Sequence, residues 1–330
     1  MTNQTALNQT ALNQTAFVLE NLSVIDLVGT DSSAVLNNLT TNAITKLAVG
    51  QGCETFVTDV RGKTVGHFLV FKTESGFRLI GAGGQSERFA AHVDRYTIRE
   101  DVSTEIRDAD LIGLLIPAAT QGKIRSETSM DFECRTAVDG GTLQSKTITI
   151  DDTVLDGFVV PWIDGILWLV SIEHQANVLA WISERGIAVK DDVAFHEVRT
   201  LANYPWYGIE VTETNLPQEI NREEQTISFV KGCYLGQETV ARLDAMGQVQ
   251  KKLVRWSISS SESLGDSLAE LLTTLNAEGK TVGRLTSVAK NGDGEIIAIG
   301  FARRSHFDPG AVAAGTIGDS TFEATVIENE

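Results

Sequence analysis

The chain is poor in the features that would place it in several familiar classes. It has three cysteines, Cys53, Cys134 and Cys233, and no CxxC pair. So odd and sparse a set does not build a disulfide framework, and it is too small for a cysteine-only zinc site or for holding an iron–sulfur cluster alone. A reducing cytoplasmic compartment is the expectation. The five histidines are scattered, without an HxH or HxxxH pair, so no histidine-based metal centre is expected. Positive charge is short: 27 Lys and Arg stand against 44 Asp and Glu, a net charge of −17. Such a chain repels nucleic acid and gains nothing at anionic membranes, although a local basic patch remains free to bind an anion. Its apolar runs, near Leu111 to Ala119 and Ile163 to Ile172, fall well short of the ~20 residues that span a bilayer. The start of the chain lacks the basic and apolar regions of a signal peptide. With only 5 prolines and 42% hydrophobic residues, the 330 residues read as a globular protein of two or three domains.

What is present begins with a repeat. Asn3 to Phe17 reads NQTAL, NQTAL, NQTAF, and residues 1–16 are expected to form a low-complexity mobile tail. Leu22 to Val28 then reads as a strand. Thr30 or Asp31 is placed to cap a helix whose apolar positions include Ala34, Val35 and Leu39. Phe56 to Val60, Thr64 to Lys72 and Phe77 to Ile80, separated by Arg61-Gly62-Lys63 and Glu74-Ser75-Gly76, predict a β-meander. Phe89, Val93 and Tyr96 have helical spacing, and Thr97 to Ile106 returns to alternation. Strands and turns follow to about Glu173, with turns at Asp139-Gly140-Gly141 and Asp151-Asp152. Helices are expected over His174 to Gly186 and Asp192 to Leu201, with Val178, Leu179 and Ile182 inward in the first. Strands and helices in runs give an α+β class rather than regular βαβ units. After a boundary near Gly247 to Lys252, short strands between Gly- and Ser-rich turns suggest a small antiparallel barrel over residues 250–330.

The strongest local feature is Lys231-Gly232-Cys233-Tyr234-Leu235-Gly236-Gln237-Glu238. Its two glycines allow a tight backbone path that gathers an amine, a thiol, a phenol, a carboxamide and a carboxylate. Such a segment suits a polar heterocycle with an acidic tail. The residues alone equally allow a glycine turn before a helix, with Cys233 a small buried hydrophobe. A reactive thiolate needs a nearby cation or helix N-terminus, and Lys231 and Arg242 are the candidates. Gly81-Ala82-Gly83-Gly84 lacks the lysine of a phosphate loop and reads as a turn. Trp162, Trp168 and Trp181 read as core. Asp110, Asp131 and Glu133 form no recognisable carboxylate pair.

The octapeptide resembles the signature of the YgfZ-like folate-binding proteins, relatives of the glycine-cleavage T-protein, an aminomethyltransferase. Flanking residues agree in order: Arg199, Pro205, Gly208, then Leu216-Pro217-Gln218-Glu219 before the signature, and Ala241-Arg242, Gly247 and Lys251-Lys252 after it. Leu27 to Asp31, Leu39 to Asn42, Asp59 to Lys63, His92 to Tyr96 and Gly279 to Ser287 extend the resemblance from about Phe17 to the end. It implies a three-domain cloverleaf: residues 17–249 form two intertwined α+β subdomains, 250–330 a C-terminal β-barrel, and tetrahydrofolate or a one-carbon derivative lies in a central hole. It also implies a role in iron–sulfur assembly or repair, with iron–sulfur client proteins as partners and Cys233 as the active residue. Lys231, Tyr234, Gln237, Glu238, Arg242 and Arg199 are the folate-binding candidates, the cations serving the folate's anionic tail. One departure bears on activity. T-proteins carry an aspartate pair on the meander, where this chain has Gly62-Lys63-Thr64-Val65-Gly66-His67. That disfavours aminomethyl transfer, and His67 is expected to be structural. A working transferase and a ligand-free interaction module are the alternatives.

Overall fold

The computed structural model describes residue 12 and residues 14–124, 143–247, 249–260 and 268–328. The expected turn at 139–141, Cys134, Asp131, Glu133 and most of the NQTAL repeat lie outside the described residues. Strand β1 (Thr15–Leu19) nevertheless begins two residues inside the segment assigned to the tail, and Leu12 is buried.

Ten further strands join β1 in one sheet: β2 (Leu22–Val28), β3 (Gln51–Thr58), β4 (Thr64–Lys72), β5 (Gly76–Ala82), β6 (Ser103–Ile106), β7 (Leu111–Pro117), β8 (Leu143–Ile150), β9 (Thr153–Val160), β10 (Gly165–Ser171) and β11 (Ala188–Lys190). Their order is β11-β1-β7-β10-β9-β8-β3-β4-β5-β2-β6. The two halves meet at a short seam, where Gln51 and Gly52 of β3 pair with Gln144 and Leu143 of β8.

Period-2 alternation explains the layering. In β4, Leu69 and Phe71 enter one core while Phe68 and Val70 enter another. In β10, Leu167 and Leu169 join the same first core, while Trp168 and Val170 face away into a third. The sheet therefore folds on itself around a shared core, with Phe71 of one half edge-on to Phe158 of the other at 4.8 Å. Helices α1 (Ser32–Leu39) and α2 (Ser86–Tyr96) cover one outer face, and α3 (Gln175–Glu184) covers the other. These strands read as near-continuous apolar runs because both their faces are covered.

Two expectations, the cap of α1 and the inward place of Leu179 in α3, need correcting. Of the apolar positions of α1, Val35, Leu36 and Leu39 are buried and Ala34 is exposed. Thr30 and Asp31 do not cap α1 with their side chains, because they bond Asp101 instead. In α3, Trp181 is fully inward and Leu179 only partly so.

Helix α4 (Asp192–Leu201) buries Phe195 in the shared core and packs on the C-terminal barrel. That barrel is closed, in the order β12-β15-β14-β13-β16-β17: β12 (Lys251–Ser259), β13 (Thr274–Ala277), β14 (Lys280–Lys290), β15 (Ile296–Arg303), β16 (Val312–Ile317) and β17 (Ser320–Ile327). Trp256, Leu285 and Phe322 fill it. Leu253 and Ile299 point outward and pack with Phe56, Val211 and Ile220, docking the barrel on the first sheet.

Candidate functional site

The octapeptide leads into helix α5 (Gln237–Met246) through Gly236, whose φ is +80°. A Cβ at Gly236 would lie 2.4 Å from the Asp59 carbonyl oxygen and 2.6 Å from Gly62 Cα. Backbone here touches backbone, so the signature docks on the β3–β4 turn through two glycines, Gly236 and Gly62. Gly232 meets nothing within 4 Å. Leu235 donates its N–H to Asn38 and accepts from the Thr58 hydroxyl at 2.6 Å. Gln237 bonds back to the Tyr234 N–H.

Lys231 fixes the other end. Its ammonium donates to the carbonyls of Asn37, Thr40 and Asn42 at 2.7, 2.6 and 2.7 Å, using all three hydrogens at the C-terminus of α1. A cation there satisfies orphan carbonyls and complements the helix dipole. Burial lowers its pKa to about 8. Tyr234 is buried and its phenol is pushed up to about 12 by burial. Cys233, between these anchors, is exposed rather than a buried hydrophobe. Glu238 and Arg242 are exposed on α5, and Arg242 forms no ion pair among the described residues.

Arg199 sits elsewhere. It is buried at 1% exposure against Glu210, with further bonds to the Tyr204 carbonyl, His196 and Ser287 of the barrel. The six candidate binding residues thus divide: Lys231 and Arg199 are engaged in internal contacts, Tyr234 and Gln237 shape the octapeptide, and Glu238 and Arg242 face solvent.

The sequence reading missed a buried charged cluster centred on Glu54 of β3. Arg222 grips its carboxylate bidentately at 2.7 and 2.6 Å, His67 Nε2 lies 2.7 Å from it, and the Tyr204 hydroxyl donates at 3.2 Å. His67 stacks between Phe56 and Tyr204. Burial would raise the Glu54 pKa, but Arg222 and His67 more than reverse this and hold it well below the usual carboxylate range. Tyr204 is raised well above its ordinary value by burial and then by Glu54. The one local signal was an acidic residue inside a strand otherwise built for burial.

This cluster and its surroundings bear on whether a pterin fits. Carboxylate, imidazole and phenol are suitable chemistry for its donor–acceptor edge. Space is not: the cavity bounded by His67, Tyr204, Trp162, Trp206 and Tyr207 holds about 10 Å³, the room of roughly one water. Neither Cys233 nor Arg242 lines it. Nearby, the buried Thr64 Oγ1 and Gln218 Oε1 have no hydrogen-bond partner among the described residues. Thr64 donates its N–H to the Asn215 carbonyl, and Gln218 Nε2 donates to Val240 of α5. A pterin therefore does not fit the aromatic cavity as it stands. Among the described residues no three His, Cys, Asp or Glu side chains converge as a metal site.

No protein-family model matches the chain. A chloroplastic protein of Arabidopsis thaliana is 24% identical over 304 residues, covering 87% of this chain and 64% of that relative, less than two thirds of its length. The tRNA-modifying protein YgfZ of Vibrio atlanticus is 24% identical over 280 residues, 84% of this chain and 80% of that one. The YgfZ protein of Shigella boydii is 21% identical over 293 residues. The crystal structure of glycine-cleavage aminomethyltransferase T from Bartonella henselae superposes with a TM-score of 0.77 at 12% identity, covering 98% of this chain and 88% of that one.

Proposed function

We propose that this chain, a YgfZ-like protein with the fold of glycine-cleavage aminomethyltransferase T, binds a tetrahydrofolate and serves as an accessory protein in iron–sulfur assembly or repair. The observation that carries the reading is the mounting of Cys233. Lys231 and Gly236 fix the backbone on either side of an exposed thiol, while the meander offers a buried His67, hydrogen-bonded to Glu54, in place of a free carboxylate. An anchored accessible thiol suits reversible oxidation or transient ligation at a client's surface. Aminomethyl transfer would want a carboxylate free to orient an amine, and the Glu54 carboxylate is already committed to Arg222.

Folate enters this reading with a requirement. Trp162, Trp206 or Tyr207 must move before a pterin occupies the cavity they close. The thiol-bearing strap and the orphan Thr64 border the same meander turn, while the orphan Gln218 lies against α5. The relatives' name concerns tRNA modification. A chain of net charge −17 has little general attraction for tRNA, so the link we favour runs through a client enzyme. A cytosolic location goes with this reading. No helix of the described residues is long and apolar enough to cross a membrane.

Titration with tetrahydrofolate, read by tryptophan fluorescence and calorimetry, is the direct test. Saturable binding with a change in tryptophan emission is expected. No binding at high micromolar ligand would remove the folate part. Turnover with an aminomethyl-lipoyl carrier protein would favour the transferase. Unchanged client iron–sulfur enzymes in cells carrying Cys233→Ala would favour a pure interaction module.

A further inference from the structure

The last turn of a helix leaves carbonyls without intrahelical partners. At the end of α1 the Leu36 carbonyl takes the Thr40 hydroxyl, the Asn37 carbonyl takes the Lys231 ammonium, and the Asn38 carbonyl takes the Leu235 N–H. Neighbouring acceptors on one helix terminus therefore hold both ends of the segment that carries Cys233. Beyond the helix the chain turns extended at Thr40, and the Thr40 and Asn42 carbonyls meet the same ammonium. Other bonds set these oxygens in place. Ile44 donates its N–H to the Asn37 side chain, Thr40 pairs with Val57 of β3, and the Asn42 amide donates to the Glu54 and Gln225 carbonyls.

The result is a cage of three carbonyl oxygens around one positive charge. Lys231 forms no ion pair among the described residues. Two titratable groups face it. The Cys53 thiol comes from β3, and the Tyr234 ring lies 5.0 Å from the ammonium. Burial pushes each of them up to about 12, so both stay uncharged at neutral pH. Carbonyl dipoles, a ring face and the helix C-terminus thus do the work of a counter-ion. Rings of carbonyls replace the hydration shell of potassium in the same way. The oxygens stand 2.6 to 2.7 Å from the nitrogen. Mg²⁺ demands about 2.0–2.1 Å, and Ca²⁺ sits at about 2.3–2.6 Å. An ammonium also has only three hydrogens to donate, and all three are used. None remains for a ligand carboxylate or for the Cys233 thiolate.

We propose that the carbonyl cage at the end of α1 is a monovalent-cation site, filled in this chain by the tethered ammonium of Lys231, and that Lys231 is a positioning residue for Cys233 rather than a ligand-binding one. The proposal rests on the reading of Cys233 as the working thiol for why its placement matters, and on the cage alone for the cation. A free ammonium or potassium ion takes over the cage when the lysine side chain is cut back, and an apolar side chain of similar length blocks it.

The full chain, Lys231→Ala and Lys231→Met are compared at pH 7 in tetramethylammonium chloride, with ammonium or potassium chloride exchanged in at constant ionic strength. Circular dichroism melts check that both variants are folded. Amide exchange reads the segment from Ser228 to Leu235. A nitroxide on Cys233, in a Cys53→Ser/Cys134→Ser background, reads motion at the thiol position itself. Both variants are expected to exchange the Leu235 amide about tenfold or more faster than the wild type and to sharpen the nitroxide spectrum. Ammonium or potassium restores slow exchange and the broad spectrum in Lys231→Ala and not in Lys231→Met. Unchanged exchange in Lys231→Ala overturns the proposal, as does a loosened segment that neither cation restores, or a rescue that Lys231→Met shows equally. Tetrahydrofolate titration separates this proposal from the folate reading. If ammonium restores the order of the segment in Lys231→Ala but not wild-type affinity, Lys231 touches the ligand and its role as a positioning residue falls. If the wild type binds no tetrahydrofolate, the folate reading falls while the cage is judged by exchange and the nitroxide alone.

Discussion

Glu54 and Arg222 are 168 residues apart in sequence yet share two hydrogen bonds in the interior. Such a pair contributes modest net stability because desolvation offsets its attraction, but removing one partner strands the other. Glu54→Gln is expected to cost about 3–5 kcal/mol at neutral pH, read by urea denaturation. The pH dependence has a defined sign. The folded pKa of Glu54 lies below the unfolded value of about 4.5, so its contribution is complete above that pH and is lost as pH falls towards the folded value. Wild-type stability should therefore decline below about pH 4.5, with a shallower decline in Glu54→Gln. The two cysteines should also separate. Cys233 is exposed, whereas burial pushes the half-buried Cys53 up to about 12. Brief alkylation followed by peptide mass spectrometry should label Cys233 and spare Cys53, and Cys233→Ala should leave stability within about 0.5 kcal/mol.

The glycines of the octapeptide look equivalent in sequence and differ in the fold. Gly236 combines a positive φ with backbone contact on the meander turn, while Gly232 faces open space. Gly236→Ala should cost about 1–3 kcal/mol and loosen the strap, measured by thermal melts and by faster exchange of the Leu235 amide. Gly232→Ala should be close to neutral. Elements of this kind show how much the sequence could say. Strand β2 and helix α4 fell where their patterns predicted, because local propensity and burial periodicity agree there. The helix after Gly236 was readable as a turn-then-helix. The burial of Arg199, the triple carbonyl grip of Lys231 and the Glu54 cluster were not. Each depends on partners brought together from distant segments, and a lysine that binds carbonyls reads the same as one that binds a ligand.

At the scale of the whole molecule, the barrel is attached by an apolar patch and by Arg199, which reaches both Glu210 and Ser287 of β14. Arg199→Met would leave Glu210, 0% exposed, without its cation. A loss of about 3–5 kcal/mol is expected, with limited proteolysis cutting between α5 and the barrel sooner than in the wild type. The sheet has a different consequence, one of timing. Strands β2 to β6 are nearly contiguous, whereas β1 must wait for β7 and β11 before its pairing is complete. During synthesis, residues 22–106 can close first, with β1 left as an unmatched strand. The strap carrying Cys233 arrives later, onto a turn already made. The thiol thus has no fixed address in a half-made chain and acquires one only when the strap docks on that turn, an order that proteolysis of stalled nascent chains would reveal.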